Sequence, residues 1–402
     1  MAVPVGEDGI PAVSDEELAH ATLSVVDELR RSTPILRTHP MRVVALRADD
    51  VKELSSDQRL VQLPGAQFAE AVGIPPGRCR TFLENFMLMS NGEDHQRRRG
   101  AFTRTFAHPV IRRKREQVRA VADAIVADLP RGEPFDFLDL CASRLPAEVI
   151  AAVLGLPVEQ SKWFAKQVYS FSRCLSLPYD IDHHHEIEGA SEALYGFVAE
   201  ALEERRQNPR DDVLSMLATD DTARALDPEE LIYQVMGLIL GGSDTTRAAF
   251  NLVVGRLLGN RTLWDTVKAD RNLIPAAIDE SLRIEPPVGS LPRYVPAPVA
   301  FGALTVEAGQ MMALSTLSAM RDETSVAAPE TFDLNRQDTV RPHLVFGGGA
   351  HRCLGEMLAR IELEEGLAAL MDGAPDIELV EAPQMLGFGG IRRSTPLIAR
   401  IA

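Results

Sequence analysis

Cysteine is scarce: Cys79, Cys141, Cys174 and Cys353 are scattered over 402 positions with no C-x-x-C pair. That spacing argues against a disulfide framework and against a zinc or iron–sulfur cage, which needs about four protein ligands. Free thiols point instead to a reducing compartment. Basic charge is also in deficit, 42 Lys and Arg against 58 Asp and Glu, a formal −16 that disfavours nucleic acid as a partner. No apolar run approaches the ~20 residues of a membrane span. The start, Met1 to Asp8, lacks the charged-then-apolar pattern of a secretion signal. A cytoplasmic protein without a membrane anchor is expected, and 45% hydrophobic content suffices for a sizeable core.

What is present concentrates near the C-terminal end. Phe346-Gly347-Gly348-Gly349-Ala350-His351-Arg352-Cys353-Leu354-Gly355 places a glycine-rich bend before one cysteine, and a helical pattern follows from Glu356. A cysteine at the mouth of a helix lies among unpaired N–H groups and the positive end of the helix dipole, which favours the thiolate. The glycines let the backbone turn tightly beside something large and flat. A single thiolate suits haem iron, whose porphyrin supplies four further ligands.

A second element lies upstream. Asp227-Pro228-Glu229-Glu230 reads as a helix start, with Asp as N-cap, Pro at the first position and acids in the first turn. The helix runs to about Leu258-Gly259 and carries Gly241-Gly242-Ser243-Asp244-Thr245-Thr246. Two glycines inside a helix cost about 1 kcal/mol each relative to alanine, so close approach of a ligand is the expected compensation. The neighbouring acid and hydroxyl can relay protons.

Together these stretches resemble the cytochrome P450 family, whose Phe-x-x-Gly-x-His-x-Cys-x-Gly loop is matched at every fixed position. The resemblance spans about residue 15 to the end. It implies a mainly α fold with small β-sheets and a long central helix over haem, in one domain over 1–402, with 1–13 a mobile arm. It makes Cys353 the axial ligand of haem b, with Phe346, Gly347, His351 and Gly355 around it and Gly241 and Gly242 on the oxygen side. His95 and Arg99, four apart on a helix, match the His-x-x-x-Arg that pairs with haem propionates. Arg293 matches a third propionate partner. Asp244 takes the place of the proton-delivering acid and Thr245 that of the threonine that bonds iron-bound oxygen. Glu280 and Arg283 match the family's Glu-x-x-Arg, but Thr331 stands where an arginine usually completes that network. Arg336 is a candidate replacement.

Residues 95–119 carry nine Lys or Arg against Glu116, a local +8 that leaves −24 elsewhere. Such an island is an address for an acidic partner. In the family it would be an acidic ferredoxin with its NAD(P)H-dependent reductase, met by Arg98, Arg104, Arg112, Arg113 and Arg352. Pocket candidates are apolar or small: Phe82, Phe86, Met87, Gly237, Leu240, Val288, Gly289, Leu291 and Phe388. Gly237, one turn before Gly241, is read as room for a bulky ring system. The expected activity is hydroxylation or other oxidation of a hydrophobic, bulky cyclic molecule by a monomeric monooxygenase using O2 and two ferredoxin electrons. A peroxide-using or rearranging haem-thiolate enzyme is the alternative.

The remaining chain reads as one helix from Ser14 to about Arg31, a hairpin over 35–46, a short helix near 48–55 and an irregular stretch over 56–90. Helices are expected over 116–129, 138–154, 159–173 and 190–206, and a polar loop at His183-His184-His185 rather than a metal site.

Overall fold

The computed structural model describes residues 9–156, 161–175, 179–219, 225–301, 304–338 and 343–402. They form two compact units. The first comprises Met1–Gln62, Leu252–Cys353 and Ala382–Thr395; the second comprises Leu63–Asn251, Leu354–Glu381 and Pro396–Ala402. Both are built mainly of helices with small sheets, as expected.

In the first unit, Ser14 closes a capping box with Glu17 and starts a helix, Asp15–Ala19. The chain then breaks at His20 and resumes as Leu23–Ser32, so the single helix expected here is two. The arm expected over 1–13 is docked where it is described: Ile10 and Val13 are buried and Ala12 bridges Arg37. Residues 1–8 lie outside the described residues.

The hairpin Ile35–His39 and Arg42–Ala45 forms as expected and is the start of a four-stranded sheet. Arg42–Ala45 runs parallel to Met311–Leu314, which pairs antiparallel with Leu291–Tyr294. Side chains alternate across this last strand, so Arg293 is buried between the exposed Pro292 and the half-buried Tyr294. The helix Ala48–Ser55 packs beside the sheet, its acids Asp49 and Asp50 in the first turn.

The second unit is a helical assembly. Arg115–Ala127 and Ser161–Ser172 fall where the apolar periodicity puts them; the expected positions 159–160 lie outside the described residues. The helix expected over 138–154 is Arg144–Leu154 after a π-helical turn at Leu138–Ala142. The one expected over 190–206 starts earlier, as His184–Gln207, where a loop is expected. The stretch over 63–90 is more regular than expected, with helices Gly65–Val72 and Arg78–Asn85. The histidine triplet opens a helix: His184 meets the Tyr179 hydroxyl at 2.7 Å, and His183 lies 2.9 Å from Asp180. Among the described residues no three acids, histidines or cysteines are grouped to hold a metal ion.

The helix Pro228–Leu258 spans 31 residues, and Asp227 accepts a 2.8 Å hydrogen bond from the Glu230 N–H as its N-cap. Among the described residues no helix is long and apolar enough to cross a membrane.

Candidate active site

The cysteine loop belongs to the first unit and is held by its own backbone. The Cys353 N–H donates to the Phe346 carbonyl at 2.7 Å, and Arg352 Nη1 donates to the Gly347 carbonyl at 2.9 Å. Gly347 and Gly349 adopt φ of +74° and +63°, conformations that cost L residues about 1 kcal/mol or more. Gly348 is needed for proximity instead, since a Cβ there would lie on the Ser55 hydroxyl. The glycine run therefore presses the loop onto the end of the helix Ala48–Ser55. His351 is half-buried in the turn Gly349–His351, and Gly355 is the N-cap of the helix Glu356–Gly373. Of the four free cysteines, Cys79, Cys141 and Cys174 are buried and Cys353 alone is exposed.

The same contact brings in Arg293. Its Nη2 donates to the Ser55 carbonyl at 3.1 Å and its Nη1 to the Pro292 carbonyl. Burial pushes its guanidinium down to about 10, with no carboxylate to counter it. A buried cation satisfied only by carbonyls is suited to receive an anion.

Glu280 and Arg283 pair through two short hydrogen bonds, 2.7 and 2.8 Å. Arg336 supplies the third member: its Nε donates to Glu280 Oε1 at 2.8 Å and its Nη2 to the Thr331 carbonyl at 2.8 Å. An arginine five residues downstream thus takes over from the position where Thr331 stands. Burial works against ionisation of Glu280, yet Arg283 and Arg336 hold its carboxyl below the usual range.

Two loop segments expected to line the pocket are joined by backbone hydrogen bonds. The Gly289 N–H donates to the Gly390 carbonyl and the Arg392 N–H to the Pro287 carbonyl, each at 2.8 Å, while Val288 bridges Ile391. Val288 and Leu291 remain half-buried, and Leu291 reaches the cysteine loop near Gly347. Phe388 points elsewhere. It is buried in a cluster with Val13, Leu18, Val26 and Leu36, so its ring belongs to the core of this unit.

In the second unit, Gly241 and Gly242 face open space: a Cβ on either would meet nothing within 4 Å. Thr245 Oγ1 donates a long hydrogen bond, 3.3 Å, to the Gly241 carbonyl and is half-buried. Thr246 is buried and Ser243 Oγ donates to the Ile239 carbonyl at 2.6 Å, so these two are structural. Asp244 is half-buried, with Arg247 Nη2 2.7 Å from its Oδ1.

Gly237 does not leave an empty space. A Cβ there would lie 2.4 Å from Phe86 Cε2, so the glycine is the seat of the Phe86 ring. Phe86 stacks on Phe82 with centroids 4.9 Å apart, and Phe82, fully buried, meets Phe171 edge-on at 4.8 Å. The reading of Gly237 as room for a bulky ring is thereby corrected. Met87 and Leu240 are buried as well. Gln234, which sequence reasoning missed, fixes this segment to the long helix: it accepts from the Met87 N–H at 2.9 Å and donates to the Asn85 carbonyl at 2.7 Å.

His95 and Arg99 lie on the helix Gly92–Gly100, where burial and then the Arg99 charge push the His95 imidazole down. The basic stretch is partly neutralised within the unit. Arg98 is buried, paired with Glu230 at 3.2 Å and Asn85, and cannot meet a partner protein, contrary to expectation. Arg97 also meets Glu230, Arg115 meets Glu364 and Glu365, and Arg119 meets Asp123 and Asp372. Arg104, Arg112 and Arg113 are exposed, the last two beside His108 in one surface concavity.

Comparison with known proteins gives a consistent result. A family model described as Cytochrome P450 matches residues 39–372. The plant-inducible Cytochrome P450-pinF1 of Rhizobium radiobacter is 37% identical over 400 residues, covering 99% of this chain and 94% of that protein. A steroid C26-monooxygenase of Mycobacterium tuberculosis (strain CDC 1551 / Oshkosh) is 31% identical over 321 residues, with 79% of this chain and 85% of that one covered. Among solved structures, epothilone D-bound cytochrome P450epoK superposes with a TM-score of 0.84 at 26% identity, over 95% of this chain and 96% of that one.

Proposed function

The chain belongs to the cytochrome P450 family, and on that premise we propose how its own residues divide the work of oxidising a hydrophobic small molecule. It is a monooxygenase whose cofactor is haem b and whose co-substrate is O2. When bound, the haem supplies the iron at which dioxygen is activated for insertion of one oxygen atom into the substrate.

The residues fit that group. Cys353 is the single cysteine exposed on a rigid loop, a sulfur ligand to iron. The buried, counter-charge-free Arg293 would hold a haem propionate, and His95, Arg99 and His351 are further candidates for carboxylate contacts. Gly241 and Gly242 leave the long helix without side chains where dioxygen needs space. Asp244 takes protons from solvent and Thr245 passes them on through its hydroxyl, whose 3.3 Å bond to the Gly241 carbonyl is weak enough to exchange.

Of the expected pocket residues, Phe86, Met87, Leu240, Val288, Gly289 and Leu291 remain candidate substrate contacts, while Phe82, Gly237 and Phe388 are taken up by packing. The mainly apolar character of those that remain supports a hydrophobic substrate. With Phe86 seated on Gly237, a bulky ring enters only where that phenylalanine yields. Arg104, Arg112 and Arg113 are exposed bases of a kind that suits an acidic ferredoxin, and Arg352 on the cysteine loop is a separate candidate. The chain acts as one catalytic domain, as a monomer, in the cytoplasm, in keeping with its free thiols.

The observation that carries this reading is the Cys353 loop, pinned by three glycines beside a buried, uncompensated arginine. Its test is product formation with NADH, ferredoxin reductase and ferredoxin, against peroxide alone. Turnover supported by the electron-transfer proteins is expected; turnover with peroxide only would overturn it in favour of a peroxygenase.

A further inference from the structure

The long helix carries one side chain near the proton-delivering acid to which no role has been given. Arg247 lies one turn after Asp244, with Nη2 2.7 Å from Oδ1. The contact is one of charge rather than of alignment, because Oδ1 is buried and accepts no hydrogen bond of good geometry. Arg247 is itself braced from another helix: its guanidinium carbon lies 4.4 Å from the centroid of the Tyr169 ring. Tyr169 is fixed in turn by donating its hydroxyl to the Ser143 carbonyl at 2.6 Å. A chain of contacts thus runs from Ser143 through an aromatic ring and a guanidinium to the carboxylate.

We propose that Arg247, braced on Tyr169, is the positioning residue for the Asp244 carboxylate. The proposal rests on the reading of Asp244 as the proton-delivering acid. An aspartate inside a helix has several rotamers and competes for nearby backbone N–H groups. A cation one turn away selects the rotamer in which one oxygen is held by charge, and no directional bond prevents its release. Tyr169 contributes a π face, not its acidity, since burial holds the phenol well above its usual range.

The test uses the haem-loaded, full-length enzyme with its electron-transfer proteins. Product formed per NADH and the solvent deuterium isotope effect are measured for Arg247→Gln, Arg247→Lys, Tyr169→Phe and Tyr169→Leu, and crystal structures report the Asp244 rotamer. Arg247→Gln should lower product per NADH several-fold, enlarge the isotope effect and move the carboxylate away from residue 247. Arg247→Lys should restore most of the coupling. Tyr169→Phe, which keeps the ring but loses its Ser143 anchor, should lie between the parent and Tyr169→Leu, and Tyr169→Leu should resemble a milder Arg247→Gln. A wild-type isotope effect and an unmoved carboxylate in Arg247→Gln would overturn the assignment. Asp244→Asn separates the two levels. If it too leaves coupling and isotope effect unchanged, the relay reading has failed; if it changes both while Arg247→Gln changes neither, only the positioning role has failed.

Discussion

Three glycines on one helix make opposite predictions for the same substitution. At Gly237 a new Cβ would lie 2.4 and 2.7 Å from Phe86 Cε2 and Cδ2, against an ordinary carbon–carbon contact of about 3.5–4.0 Å, so the ring must retreat by roughly 1 Å. It has little room, because it stacks on Phe82 at 4.9 Å and Phe82 is fully buried against Phe171. Overpacking of this kind costs about 1–3 kcal/mol, while exchanging glycine for alanine inside a helix returns about 1 kcal/mol. Gly237→Ala should therefore lose about 0–2 kcal/mol. At Gly241 and Gly242 the Cβ meets nothing within 4 Å, so only the helical gain of up to about 1 kcal/mol remains. At about 2 °C per kcal/mol for a large protein, Gly237→Ala should melt about 2–6 °C below Gly241→Ala. The assay is far-UV circular dichroism of the variants freed of haem, at one scan rate, so that only the protein contacts at 237 and 241 are compared. A control in the Phe86→Leu background should reduce the penalty at 237. Equal melting of Gly237→Ala and Gly241→Ala would refute the placement of Phe86.

Replacing Arg336 with alanine should cost about 3 kcal/mol, the lower end for breaking a buried pair because Glu280 keeps Arg283, with urea unfolding as the measure and Arg336→Lys a partial rescue. The same network has a pH signature. Glu280 is held below its usual range, so its contribution is full above about pH 4.3 and is lost as pH falls through the lowered folded value; in Arg336→Ala that loss should be smaller and complete at a higher pH. Thr245→Ala should continue to consume NADH while product falls and peroxide accumulates, read by parallel peroxide and product assays; unchanged coupling would remove the hydroxyl from the relay. Arg112→Glu with Arg113→Glu should weaken ferredoxin-driven turnover, most at low salt, and leave peroxide-driven turnover unchanged.

The parts of the molecule legible in sequence were those specified locally. Asp227 and Pro228 mark the start of the long helix, and two short β-type runs around the turn at His39-Pro40 give the hairpin, because caps and turn signals act within a few residues. The cysteine loop was legible for the same reason. What escaped depends on contacts distant in the chain. Ser55 is the partner that makes Gly348 necessary, and it lies almost 300 positions away. Arg336 could not be assigned to Glu280 until the loop at Pro329 to Asp333 was folded beside it. Gly237 was misread because a glycine opposite open space and a glycine opposite a phenyl ring are identical in sequence. Arg98 looked like part of a basic surface because its partner, Glu230, lies 132 residues away.

The central claim is that Cys353 holds haem iron as a thiolate, and the ferrous carbon monoxide spectrum tests it most directly. Purified holoenzyme, reduced under carbon monoxide, should show the strongly red-shifted Soret band of a thiolate-ligated haem, and Cys353→His should keep haem but lose that shift. Retention of the shifted band in Cys353→His, or its absence from the parent enzyme at full haem occupancy, would contradict the account.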